Sequence, residues 1–550
     1  MSQFKNSTIY QIYTKSFHDS GAKGIGDIKG VTEKLDYLQD LGIDYIWMTP
    51  FFKSPQNDNG YDVADYLSIE PMFGTMEDVE ELIKEADKRH IGLMFDMVFN
   101  HTSTQHEWFQ RALQGEKEYM DYYIFKDGEA DMPPTNWESK FGGNAWEYVP
   151  HLKKWYLHLF DVTQADLNWD NPKVREELKE VIRFWKKKGV KGFRFDVVNL
   201  ISKPEQFEND DLGDGRRFYT DGPNIHGYLK ELVGDTGIAD MVTVGEMSST
   251  SLENCVRYAN PEERELSMVF NFHHLKVDYK DGNKWEIMEP DYAALKNLYE
   301  VWQCGMQEKK AWNALFWCNH DQPRAVSRFG DDQNYWKESA KMLATMIHMM
   351  RGTPYVFQGE ELGMTNANYE EISDYQDVES TNYYDIMRAD GKSNEEALEV
   401  LKKRSRDNGR TPMQWNTGEN AGFTKGKPWL RIPENYVFVN VESEQKDADS
   451  ILQYYKTLIS LRKKYDIIAK GEIEFLYREH PDLFAYIRTL KGQKLLVLNN
   501  LKGKQVELAE ALHLEGYQML LSNYEQEDKK GQITSLREYE SIVLLKNNDK

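Results

Sequence analysis

Cysteine is almost missing from this 550-residue chain, which has only Cys255, Cys304 and Cys318. None sit at zinc-site spacing, and the count is odd. A disulfide-stapled secreted domain and a cysteine-built metal site are therefore both excluded. Positive charge is also short. Lys and Arg number 68 against 91 Asp and Glu, a net charge of -23. Such a balance argues against nucleic acid or an anionic membrane as partner, and an anionic ligand would need a local basic pocket. No apolar run approaches a membrane span. The opening, MSQFKNSTIYQIY, lacks an apolar signal core, so a cytoplasmic location is expected. Several catalytic signatures are missing too: no HExxH, no GxSxG elbow and no phosphate-cradling glycine loop occurs. Oligomeric state is not legible.

Present instead are short apolar runs separated by helical patterns. Eight read as strands: near 9–13, 44–48, 92–99, 192–198, 241–247, 266–272, 313–319 and 353–359. Between the fourth run and the one before it lies VREELKEVIRFWKKKG. It places Val174, Leu178, Val181, Ile182 and Trp185 on one helical face, with Asn171 and Pro172 as start signals. Strand–helix alternation repeated eight times predicts an α/β fold, a (β/α)8 TIM barrel. An aromatic- and glycine-rich spacer, 102–168, reads as a subdomain inserted after strand 3. A polar, partly helical spacer near 363–430 reads as an elaborated loop. The last stretch has strand and turn patterns only. The expected division is a barrel over 1–101 and 169–465, subdomain B over 102–168, and an all-β sandwich domain over 466–550.

The stretch KGFRFDVVN sharpens the functional question. Arg194 and Asp196 alternate onto one face of an otherwise apolar strand, where a buried pair costs several kcal/mol unless something offsets it. Other strands of the set also end in polar groups: Asn100 and His101, Glu246, then Asn319, His320 and Asp321. Asp62 follows the second. Chemistry in such barrels gathers at the C-terminal strand ends, so these groups face one central space. Glycoside hydrolysis needs two carboxyl groups, one to attack or activate water and one to protonate the leaving oxygen. Arg194 would keep Asp196 ionised, and the apolar surroundings of Glu246 would suit a general acid.

DMVFNHT, GFRFDVVN, VGEM and WCNHDQPR, with QADLN at 164–168, resemble the conserved stretches of glycoside hydrolase family 13, the α-amylase family. They occur in the family's order, over nearly the whole chain. The resemblance implies a retaining mechanism with Asp196 as nucleophile, Glu246 as acid/base and Asp321 as transition-state stabiliser. It further implies that Asp62, His101, Arg194 and His320 hold the glucose of the −1 subsite, and that Arg410 of GRTPMQW reaches over that subsite towards Asp62.

Val198 resembles the residue found in the oligo-1,6-glucosidase and phospho-α-glucosidase group rather than in maltases, and three longer stretches, 213–223, 244–255 and 270–285, resemble the phospho-α-glucosidase branch, which takes a sugar phosphate. The alternative is the neighbouring branch that cleaves neutral isomalto-oligosaccharides. A phosphosugar needs cations beside the leaving group, and Lys276, Lys284, Arg216 and Arg217 are the candidates. Relatives hold calcium in the loop after the first strand. Here Gly21 and Lys23 stand among Asp19 and Asp27, so no metal and no cofactor is expected, with Lys23 filling the metal's place.

Overall fold

The eight apolar runs pair into one parallel sheet: β1 (Ile9–Ile12), β2 (Tyr45–Met48), β3 (Gly92–Met97), β4 (Gly192–Phe195), β5 (Val242–Glu246), β6 (Met268–Phe270), β7 (Ala314–Leu315) and β8 (Thr353–Phe357). Their order is β6-β5-β4-β3-β2-β1-β8-β7. One parallel bridge between Val269 and Asn313 closes the cylinder. The structure, a computed structural model, describes residues 3–525 and 531–547. Most strand residues are buried on both faces. That is why these strands read as continuous apolar runs rather than alternating ones.

The helix after the inserted segment shows how local sequence builds the frame. Asn171 caps Pro172–Lys188 by accepting from the Lys173 N–H, and Gly189 ends it at φ 108°. The face Val174, Leu178, Val181, Ile182 and Trp185 is buried. Trp185 also donates its indole N–H to the Tyr66 carbonyl at 3.0 Å.

The segment after β3 leaves and returns through a short antiparallel ladder, His101–Ser103 against Gln164–Asp166. Above that base, Lys154–Leu157 pairs with Phe125–Asp127 on one side and Trp146–Val149 on the other. A separate apolar cluster containing Trp137, Trp146 and Trp155 supports it. After β8, the helices Val378–Ala389 and Asn394–Arg404 form a further elaboration with its own small core around Trp285, Tyr369 and Leu401.

Beyond the helix Asp466–Lys470 the chain forms a five-stranded antiparallel sheet and a two-stranded one. The five-stranded sheet is locked to the barrel by Arg488. That side chain is fully buried, and its guanidinium donates to the carbonyls of Met349, Ile468 and Gly471 at 2.7, 2.6 and 2.6 Å. Removing it strands buried carbonyls, each worth about 1.5–3 kcal/mol when bonded to a charge. Arg488→Met is therefore expected to cost about 3 kcal/mol or more in denaturant unfolding, without moving the active-site groups. A loss under about 0.5 kcal/mol, as for a surface change, would contradict the latch.

Candidate active site

Arg194 stands at the middle of the barrel mouth. Register places it beside Asp96 on β3 and Val244 on β5. Its Nη1 donates to Asp96 Oδ1 and to Asp196 Oδ1, both at 2.6 Å, and its Nη2 meets Glu246 Oε2. One fully buried guanidinium thus bridges the two carboxylates at the ends of β4 and β5. The Arg194 charge is held more firmly than usual. Burial opposes it, but Asp96 and Asp196 outweigh the burial. Asp96 is in turn held by Trp47 Nε1 at 3.0 Å and the Tyr61 hydroxyl at 2.9 Å. The surroundings of Glu246 therefore differ from the apolar strand that its neighbours in sequence suggested, because the adjacent strand points a cation at it.

Just past β4, Val197 takes a left-handed backbone, φ 33°, ψ 40°. A β-branched residue there is strained, and such strain collects at functional sites. The turn swings the chain out of the strand directly after Asp196.

Asp321 is the third acid. Its Oδ2 faces His320 Nε2 at 3.2 Å, and its Oδ1 faces Arg410 Nη2 at 3.0 Å and Arg406 Nη1 at 3.3 Å. Burial works against its charge, yet His320, Arg406, Arg410 and Arg194 hold the carboxyl well below the usual range. His320 is itself lowered to about 3 by burial, so at neutral pH the arginines carry that effect. Gln11 Nε2 sits 2.8 Å from His320 Nδ1. An amide N–H donating there leaves the imidazole proton on Nε2, aimed at Asp321. The ring stacks on Tyr61, 5.0 Å between centroids and 2° between planes. His101 also lines the cavity; its Nε2 lies 3.1 Å from the Tyr61 carbonyl, and burial lowers its pKa.

Two sequence expectations are corrected here. Asp62 is fully buried and faces its own loop. It accepts from Ser54 Oγ at 2.9 Å and from the Asn57 and Asp58 N–H groups at 2.8 and 3.2 Å. Asp58, four residues earlier in NDNGYD, is the one that lines the cavity. Burial pushes its carboxyl up to about 7 against the pull of Arg406 and Arg410. Arg410 likewise does not reach over the cavity. It is buried behind Asp321, with Nε donating to the His320 carbonyl at 2.7 Å. The arginine that spans the site is Arg406. It contacts Asp58 at 3.2 Å, Asp321 at 3.3 Å, Asp377 at 2.5 Å and Glu379 at 3.4 Å. Sequence reasoning passed over Asp58 and Arg406, each four residues from the residue chosen.

Asp58, His101, Asp196, Glu246, Asp321 and Arg406 share a cavity of about 250 Å³, lined also by Gln164, Phe141, Phe160 and Phe272, whereas Arg194 and His320, expected at its wall, stand behind the acids they contact. Lys140, Lys276 and Lys284 also lie in its wall. Lys284 is tied to Glu379 at 2.6 Å. Arg216 pairs with Asp214 at 3.2 Å and is not in the wall. Arg217 is engaged elsewhere, by Asp210 at 2.8 Å and Asp211 at 3.5 Å, which removes it from the candidate set. Lys140, from the inserted segment, was not foreseen.

In the loop after β1, Asp19 accepts from the Gly21 and Gly24 N–H groups and from Thr424 Oγ1 at 2.9, 2.8 and 2.5 Å. Asp27 caps the helix Ile28–Glu33. Lys23 does not sit between these acids, as the sequence suggested. Its ammonium donates to the Met72 carbonyl at 3.3 Å. Among the described residues no group of three or more His, Cys, Asp or Glu is gathered to hold a metal ion.

Comparison with known proteins agrees with this geometry. Residues 11–471 match the α-amylase catalytic domain, and residues 483–543 match the C-terminal domain described for the α-amylase SusG. The chain belongs to the α-amylase family. It is 52% identical over 544 residues to the trehalose-6-phosphate hydrolase of Escherichia coli K12, covering 98% of each chain. It is 44% identical to the oligo-1,6-glucosidase of Bacillus cereus, over 98% of this chain and 99% of that one. The crystal structure of Bacillus licheniformis trehalose-6-phosphate hydrolase superimposes with a TM-score of 0.94 at 52% identity, over 99% of both chains.

The placement of Asp58 and Arg406 is testable with an aryl α-glucoside. Asp58→Ala is expected to lower kcat/KM about 10- to 100-fold, the value of a charged hydrogen bond, with little change in Tm. Asp62→Ala is expected chiefly to lower Tm, because three donors of its loop lose their acceptor. The reverse pattern would contradict the assignment.

Proposed function

We propose that this chain is a retaining α-glucosidase that hydrolyses trehalose 6-phosphate to glucose and glucose 6-phosphate. The observation that supports it is a single cavity whose wall holds Asp196, Glu246 and Asp321 together with Lys140, Lys276 and Lys284. The unphosphorylated glucose binds between Asp58, His101, Arg406 and Asp321. The glucose 6-phosphate unit lies outward, with its phosphate towards the lysines.

In the first step an Asp196 oxygen attacks the anomeric carbon while Glu246 gives its proton to the bridging oxygen. The C–O bond breaks, and glucose 6-phosphate leaves with that proton. In the second step Glu246 takes a proton from water, which attacks the same carbon and releases the Asp196 carboxylate and α-glucose. Retaining enzymes of this kind hold the two carboxyl groups about 5–5.5 Å apart, a separation compatible with one guanidinium contacting both. Asp321, kept ionised by the arginines, stabilises the positive charge that builds on the ring. The three cysteines are free thiols, as suits a cytoplasmic enzyme. No helix among the described residues is long and apolar enough to cross a membrane.

The test is product analysis with trehalose 6-phosphate and isomaltose offered in parallel. Glucose and glucose 6-phosphate are expected in equal amounts from the first. Glu246→Gln is expected to lower that rate about 10²- to 10⁴-fold, the usual value of a positioned proton donor. A purified protein that splits isomaltose but leaves the phosphosugar intact would make it an oligo-1,6-glucosidase instead.

A further inference from the structure

We propose that Lys140 of the inserted segment is the residue that selects a phosphorylated sugar over its unphosphorylated counterpart at this site. The inference rests on the functional reading above and assigns its specificity to one side chain.

Three lysines line the cavity, but they are not equivalent. Lys284 is already neutralised by Glu379 at 2.6 Å. Lys276 is the more exposed of the two side chains that lack an ion pair; burial lowers its pKa as well, but solvent screens its charge more than that of Lys140. Lys140 is half-buried. Its ammonium is held by Ser248 Oγ at 3.2 Å and lies 5.4 Å from the centre of the Tyr219 ring. Among the described residues neither Lys140 nor Lys276 makes an ion pair. Lys140 is thus a tethered, half-buried ammonium with no counter-charge in contact, lining the cavity. A dianion gains more from such a charge than from a screened one. The tether to Ser248 also means that little side-chain freedom is lost on binding.

The groups that face Lys140 set how it titrates. Arg216 and Lys276 add like charge, while Asp214 and Asp166 oppose them from further off. Tyr219 and Ser248 are uncharged neighbours. Burial first, then Arg216 and Lys276, bring its pKa down to about 7. The free enzyme therefore carries this cation below about pH 7 and loses it above. A phosphate dianion beside it favours the protonated form, so binding takes up a proton at mildly alkaline pH.

The experiment measures competitive inhibition of aryl α-glucoside hydrolysis by glucose 6-phosphate and by glucose, in wild type, Lys140→Gln and Lys140→Arg. The readout is the ratio of the two inhibition constants. In wild type the ratio is expected to favour glucose 6-phosphate and to do so less as pH rises from 6.5 towards 9. Lys140→Gln keeps a partner for Ser248 and is expected to lose about tenfold or more of that preference, the value of one charge-assisted bond. Lys140→Arg is expected to keep most of it, without the decline at alkaline pH. An unchanged preference in Lys140→Gln overturns the assignment. If glucose 6-phosphate inhibits through Lys140 but trehalose 6-phosphate is not cleaved, the functional reading fails and the assignment stands.

Discussion

Everything at the barrel mouth depends on the Arg194 guanidinium being buried among three carboxylates. A buried cation alone would cost several kcal/mol. Here Asp96 anchors it from β3, while Asp196 and Glu246 meet it from the ends of β4 and β5. Three acids against one guanidinium leave the cluster with surplus negative charge. That surplus is useful in two ways. It can take up a proton, which an acid catalyst requires. It also favours the positive charge that develops on a sugar ring as its glycosidic bond breaks. Arg194 therefore holds two carboxyl groups in one place and leaves the site still in need of a cation.

Around this centre a second network fixes the remaining groups. Arg406 and Arg410 share Asp321 and Asp377 between them. They belong to the elaborated segment after β8, whereas Asp58 comes from the loop after β2 and Lys140 from the insertion after β3. The β-strands position the acids, and the long loops supply Asp58, Lys140 and Arg406 to the same cavity. The three acids lie at or just past strand ends, while Lys140, Lys276 and Lys284 lie outside the barrel strands.

Much of this was legible in the sequence, for identifiable reasons. Strands buried on both faces leave apolar runs that only a parallel sheet explains, so all eight could be placed, and the polar residues ending them marked the rim. The cap and stop of the helix Pro172–Lys188 were equally plain. The misreadings arose where two like residues lie close together. NDNGYD offers Asp58 and Asp62, and RSRDNGR offers Arg406 and Arg410; which member of each pair enters the cavity depends on a turn that no residue pattern announces. The apolar surroundings expected for Glu246 left out its contact with Arg194, which comes from the neighbouring strand. Lys140 carried no signal at all, being one lysine in an aromatic loop. Arg217 looked available only because Asp210 and its own loop fold back on it in three dimensions.

The central claim is that Asp196, bound by Arg194 at 2.6 Å, forms a bond to the anomeric carbon. It is tested most directly by trapping that bond with a slow fluorinated α-glucosyl fluoride and locating the label by peptide mass spectrometry. The account predicts one adduct, on the peptide containing Asp196, that disappears as activity returns. A label on Asp321 or Glu246, or turnover that releases β-glucose with no adduct formed, would contradict it.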